Sequence, residues 1–126
     1  MEKQQIISVA QTILSQLFTS IAPEIIHSWG FRKPSATVFH EMPALAFRVD
    51  ARLFKGVVLV ALNGADLYEL YLMTPDAERC LTHEAYDDQF ADILDVAIER
   101  GDNEEEYAQF CKNQLHSLVS DTVVII

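Results

Sequence analysis

The sequence contains very little cysteine, and its few glycines are scattered. Cys80 and Cys111 are the only cysteines among 126 residues, and two thiols do not make a disulfide framework. The glycines at positions 30, 56, 64 and 101 are too far apart to form a phosphate-binding loop. We therefore expect a reduced protein that folds around an apolar core, and we expect no cofactor.

Long apolar runs are also missing. No run approaches the ~20 residues that a membrane-spanning helix needs. The opening residues MEKQQ lack the basic and then apolar start of a signal peptide. Together these absences predict a cytoplasmic protein without a membrane segment.

Basic residues are scarce as well. The chain has 9 Lys and Arg against 19 Asp and Glu, which gives a formal net charge of −10. Residues 1–63 hold six bases and four acids, whereas residues 64–126 hold three bases and fifteen acids. Direct binding of nucleic acid is not expected, because such affinity comes from Lys and Arg that neutralise phosphates. The excess of acid indicates either a solvated surface or a surface for a basic partner protein.

Apolar residues make up 50% of the chain, which is enough for the packed core of one domain covering residues 1–126. From residue 2 to residue 22 they recur every three or four positions and predict an amphipathic helix. The set comprises Ile6, Val9, Ala10, Ile13, Leu14, Leu17, Phe18 and Ile21. Pro23 is expected to end this helix or to begin a short helical turn.

The pattern then changes to that of β-strands. Residues 35–41, 44–49, 53–62 and 66–73 are predicted strands, and the third is apolar on both faces. Asn63-Gly64 is the sequence typical of a two-residue type I′ turn between antiparallel strands. Short connections between all four strands predict an antiparallel meander.

Two helices are expected after the sheet. Thr82 is a plausible N-cap for a helix that ends at Gly101, and Asp102 is a plausible cap for a second. The predicted fold class is therefore α+β, with an N-terminal helix, a four-stranded antiparallel meander and two C-terminal helices. The apolar tail Val123, Val124, Ile125 and Ile126 is expected to pack within the chain, or to join two copies in a homodimer.

The main functional hypothesis concerns a row of carboxylates on the first of these two helices. The five residues are spaced by four, four, three and four positions, which places them along one face: Glu84, Asp88, Asp92, Asp95 and Glu99. Like charges at this spacing slightly destabilise a helix. The row predicts a non-enzymatic intracellular interaction module that binds a basic partner; the alternative is a DNA mimic that inhibits a nucleic-acid-binding protein.

A second, less favoured hypothesis is an enzyme or metal site at Cys80, His83 and Asp87. On a helix that starts at Thr82, His83 and Asp87 would share a face, so that the carboxylate could orient the imidazole toward the thiol. The same side chains could supply sulfur, nitrogen and oxygen to a metal, although a structural zinc needs four protein ligands. Ordinary surface placement of these side chains also explains them, and we expect no catalytic activity.

Trp29 stands beside the basic pair Arg32-Lys33, so it could anchor a partner or simply cover the core. The segments SWGF at 28–31, MPALAFRV at 42–49 and LFKGVV at 53–58 resemble short uncharacterised proteins of bacterial phages and conjugative elements. The resemblance implies a bacterial, cytoplasmic accessory protein, and it assigns no functional residue.

Overall fold

The structure is a computed structural model, and it describes residues 2–101. The predicted N-terminal helix is present as α1, Lys3–Ser20. Its apolar face buries Ala10, Ile13 and Leu17. A separate short helix, α2, covers Pro23–Ser28, with the proline in its first turn, where no N–H is needed.

Five strands follow, and each pairs antiparallel with the next. They are β1 Arg32–Phe39, β2 Met42–Asp50, β3 Lys55–Leu62, β4 Tyr68–Met73 and β5 Glu78–Ala85, in the order β1-β2-β3-β4-β5. The predicted antiparallel sheet is therefore present, but the prediction of four strands is wrong. The strand that was missed, β5, begins before the predicted helix and includes its first residues, 82–85.

The first hairpin turns at His40-Glu41, which both have positive φ, 50° and 65°. This is the backbone that a two-residue type I′ turn requires, formed here without glycine or asparagine. Strand β2 begins directly afterwards and includes Pro43, which lies between the predicted strands 35–41 and 44–49. Pro43 pairs with Val38 of β1, whereas the β2–β3 pairing begins at Ala44. Its missing N–H therefore removes no bond from the centre of the sheet.

The hairpin between β3 and β4 is present, but its predicted two-residue turn is wrong. Five residues, 63–67, connect the strands, and Asp66 rather than Gly64 adopts a positive φ. The Asn63 side chain closes this loop, because its Oδ1 accepts hydrogen bonds from the N–H groups of Ala65 and Leu67. Asn63 thus contributes to the turn as a hydrogen-bond acceptor rather than through a positive φ.

The helix predicted from Thr82 begins only at Phe90. Helix α3, Phe90–Asp95, continues into a π-helical segment, Val96–Arg100, which ends at Gly101 with a φ of 73°. The Thr82 hydroxyl does accept the N–H of Glu84, a local bond that also occurs outside helices. The second predicted C-terminal helix and the apolar tail lie outside the residues that the structure describes.

One face of the sheet carries the core. Alternate residues of the central strands pack with α1 and α3, as the period of two requires: Leu45, Phe47 and Val49 of β2, Val58 and Val60 of β3, and Leu70 and Leu72 of β4. The intervening residues form the opposite side, which we call the second face. None of the helices within residues 2–101 has the length and apolar character to cross a membrane.

Candidate functional site

The predicted row of five carboxylates does not form one helix face. Glu84 lies in β5, Asp88 lies in the turn before α3, and only Asp92 is an exposed acid of α3. Asp95 is buried, and Glu99 lies half-buried in the π-helical segment. The placement of these residues along one helix was therefore wrong, and the DNA-mimic hypothesis, which rested on that row, remains a sequence-based prediction.

Asp95 is turned into the protein, where it contacts Trp29. The Trp29 side chain is completely buried, and its Nε1 donates a 2.9 Å hydrogen bond to Asp95 Oδ1. Asp95 Oδ2 also lies 3.7 Å from Arg100 Nε. The Trp29 ring stacks on Phe47 at a centroid distance of 6.5 Å. In this structure Trp29 and Asp95 join the end of α2 to α3, and neither presents a surface to a partner.

The surroundings of Glu99 are unfavourable for a charged carboxylate. Within residues 2–101, its Oε2 is buried and accepts no hydrogen bond. Burial is the main cause that raises the pKa of Glu99, and the neighbouring charge of Asp95 raises it further. The charged form of Glu99 therefore weakens the fold.

Replacing Glu99 with Gln is expected to stabilise the protein at pH 7 by about 1 kcal/mol or less. A raised folded-state pKa means that the stabilising contribution of protonated Glu99 is lost as the pH rises through that pKa. The advantage of the variant should therefore shrink toward about pH 4, where the wild-type carboxyl is protonated. Urea unfolding at both pH values measures this, with Glu84→Gln as the exposed control. A constant difference between the two pH values would contradict the prediction.

The exposed acids instead gather around the connection between β5 and α3. Glu84, Asp87 and Asp88 are all exposed, and between them Tyr86 is 56% exposed. We call these four residues the acidic turn. Within residues 2–101, none of the three carboxylates forms an ion pair, whereas Asp92 on the adjacent helix is paired with Arg100 at 2.8 Å.

The backbone of the acidic turn is anchored by buried neighbours. Ala85, between Glu84 and Tyr86, is fully buried, and so is Phe90, two residues after Asp88. The carbonyl of Tyr86 accepts hydrogen bonds from the N–H groups of Gln89 and Phe90, at 3.0 and 3.1 Å. The exposed side chains are therefore presented from an anchored backbone.

Cys80 and His83 are close together, as the second hypothesis required, but on a strand instead of a helix. The pairing register of β5 with β4 shifts twice between Cys80 and Ala85. Bulges of this kind change the face to which later side chains point. As a result Cys80 Sγ lies 3.5 Å from His83 Nε2, although residues three apart on a regular strand face opposite sides.

The carboxylate that contacts His83 is Glu69 and not Asp87. Glu69 Oε1 lies 3.2 Å from His83 Nδ1 and accepts a 2.6 Å hydrogen bond from the Tyr71 hydroxyl, while its Oε2 accepts one from Asn63 Nδ2. Asp87 lies near Tyr68 instead: burial first, and then the charge of Asp87, raise the pKa of Tyr68.

Sequence reasoning missed Glu69 because it is 14 positions from His83 and on another strand. Glu69 and Tyr71 do alternate with the core residues Leu70 and Leu72. That alternation was the available signal that they share the second face, but it does not specify the neighbour on β5.

The electrostatics of this cluster favour a charged Glu69 and a neutral thiol. The hydrogen bond from Tyr71 is the largest effect that holds the pKa of Glu69 below its usual value. Burial, followed by the hydrogen bond to Glu69, raises the pKa of Tyr71. Burial is also the largest cause that raises the pKa of Cys80. The thiol is therefore protonated at neutral pH.

The geometry of the thiol and imidazole is not that of a poised nucleophile. The sulfur of Cys80 is 3.5 Å from one ring nitrogen of His83 and 3.8 Å from the other. A sulfur almost equally far from both nitrogens does not lie along the in-plane lone pair of either, so proton transfer would first require the ring to rotate. No group of three or more His, Cys, Asp or Glu between residues 2 and 101 is placed to hold a metal ion.

Five side chains form a polar network that links the strands: Asn63, Glu69, Tyr71, Cys80 and His83. Asn63 closes the β3–β4 loop and also donates from Nδ2 to the carbonyl of His83. Glu69 and Tyr71 belong to β4, and Cys80 and His83 belong to β5. The network thus attaches the bulged strand β5 to the rest of the sheet.

Comparison of the chain with protein-family models, with curated proteins and with solved structures finds no match.

Proposed function

We propose that the protein is a non-enzymatic interaction module and that its acidic turn binds a basic partner protein. The observation that supports this most directly is the exposed Tyr86 among three exposed carboxylates that form no ion pair within residues 2–101. Tyrosine is enriched at the energetic centres of protein interfaces. Its ring can also contact a Lys or Arg of the partner while the carboxylates pair with neighbouring cations.

The anchoring of the acidic turn strengthens the proposal. A binding surface that is already ordered loses less conformational entropy on association than a loose one. Buried Ala85 and Phe90 and the two hydrogen bonds to the Tyr86 carbonyl provide this order. The partner is expected to associate quickly at low ionic strength, because exposed carboxylates attract a basic protein over distances of about a Debye length.

The proposal is tested by capture from the source cells with the full chain as bait, followed by affinity measurement with the recovered partner. Asp87→Asn/Asp88→Asn should weaken binding about tenfold or more, and Tyr86→Ala should weaken it comparably. Raising the salt to about 0.5 M should have a similar effect on the wild type. The readout is the dissociation constant from surface plasmon resonance.

A matched control separates the acidic turn from total charge. Asp66→Asn/Asp76→Asn changes the net charge by the same amount at two exposed positions in other loops, and it should retain the wild-type affinity. Equal binding by the two double variants would refute the assignment of the acidic turn. A recovered partner whose contact surface is acidic would refute the proposed chemistry.

A further inference from the structure

An open groove of about 640 Å³ lies on the second face of the sheet, away from the acidic turn and from α1. It runs along β1 and β2 and extends across to β3 and β4. Most of its lining is apolar and includes Phe39, Val57, Leu59 and Met73. Its volume falls within the range of small-molecule sites, ~300–1,000 Å³.

The charges along the groove have one sign. Its ionisable lining residues are Lys33 and Arg48, and no acidic residue described by the structure lines it. Register places both cations toward one end, because β1 enters the pairing at Arg32 opposite Arg48, whereas Phe39 lies opposite Met42 at the other end. The groove therefore has a cationic end and an apolar, aromatic end.

Lys33 has an unusual backbone at the cationic end. Its φ is 54°, a left-handed value that is rare outside glycine and asparagine, and the β1–β2 register shifts between Arg32 and Ser35. Bulges on edge strands frequently redirect a side chain at a site. Arg48 already takes part in another interaction within the protein. The binding experiment therefore changes Lys33 and leaves Arg48 as it is.

From the groove's charge and apolar lining we infer that it binds a small amphipathic carboxylate, a molecule with one anionic headgroup and an unbranched apolar body. The headgroup pairs with the ammonium of Lys33. The apolar body begins beside Val57 and Met73, which lie in register with Arg48, and extends over Leu59 toward Phe39. Binding requires both ends of the groove. An exposed ion pair alone contributes little affinity in water, and an apolar chain without a headgroup forms no ion pair with Lys33.

The full chain is titrated calorimetrically with decanoate below its micelle concentration. The protein should bind one decanoate, should bind decyltrimethylammonium at least about tenfold more weakly, and should not bind acetate measurably. Lys33→Met, which keeps an apolar stem of similar length, should raise the dissociation constant of decanoate about threefold, the effect of losing one exposed ion pair. Thr37→Glu, which places a carboxylate on the half-buried groove lining, should raise it further.

Lys3→Met is the matched control, since it removes the same charge from an exposed position at the start of α1, and it should leave decanoate binding unchanged. Circular dichroism verifies that each variant is folded. Equal affinity for decanoate and for decyltrimethylammonium would overturn the inference, and so would unchanged decanoate binding in both groove variants. Binding of an acidic peptide but not of decanoate would also overturn it, because the occupant would then be a protein segment.

Discussion

Replacing Asp95 with Ala is expected to lower the free energy of unfolding by about 2 kcal/mol. The change removes the only described acceptor of the Trp29 Nε1–H, which lies in the core 2.9 Å from Asp95 Oδ1. A buried donor that loses its partner costs about 1–3 kcal/mol. Urea unfolding followed by Trp29 fluorescence measures the effect, since Trp29 is the only tryptophan.

Asp92→Ala is the control for this prediction. It makes the same chemical change one helical turn away. Asp92 is exposed, and within residues 2–101 it pairs only with the exposed Arg100, so the loss should be within about 0.5 kcal/mol. Combining Asp95→Ala with Trp29→Phe should cost less than the sum of the single changes, because both remove the same bond. Circular dichroism follows the unfolding of all four proteins in this cycle, since two of them lack tryptophan. Equal losses for Asp92→Ala and Asp95→Ala would show that Asp95 is a surface residue, as the sequence pattern suggested.

Glu69→Ala is the second change with a large expected effect, a loss of about 1–3 kcal/mol. It removes the carboxylate that accepts hydrogen bonds from Tyr71 and Asn63 and contacts His83. Tyr71 is 3% exposed, so water cannot readily replace its partner. Strand β5 should loosen first, which hydrogen exchange of residues 78–85 would detect.

The effect of Glu69 should depend on pH in a defined direction. Because the folded state lowers the pKa of Glu69, its stabilising contribution is present above the unfolded-state pKa and is lost as the pH falls through the folded-state pKa. The stability difference between wild type and Glu69→Gln should therefore decrease in acid. Glu84→Gln, at an exposed position on β5, should show no such trend. A difference that grows in acid would mean that Glu69 is not held in its charged form.

The candidate sites show the limits of sequence reasoning in a specific way. Cys80 and His83 were paired correctly, but on the assumption of a helix, and the helical assumption selected the wrong carboxylate. Two bulges in β5 produce the same proximity on a strand and bring Glu69 to the imidazole. A spacing of three residues thus identified the neighbours but not the backbone that joins them.

The prediction of an acidic row along one helix was wrong for a related reason. Its spacing was helical, yet Glu84 extends the sheet because β4 offers an unpaired edge to residues 78–85. Once β5 uses those residues, the helix starts later and Asp95 turns toward Trp29, 66 positions earlier in the sequence. No local pattern contains information on that contact.

Local residue patterns were sufficient for α1, for the antiparallel meander of the first four strands and for the distribution of charge, because each depends on neighbours along the chain. Tertiary packing was needed to make residues 78–85 a strand, to bury Asp95 against Trp29 and to assemble Glu69 with His83. These features depend on which strand edge is unpaired and which buried donor lacks an acceptor, and both conditions exist only after distant parts of the chain have come together.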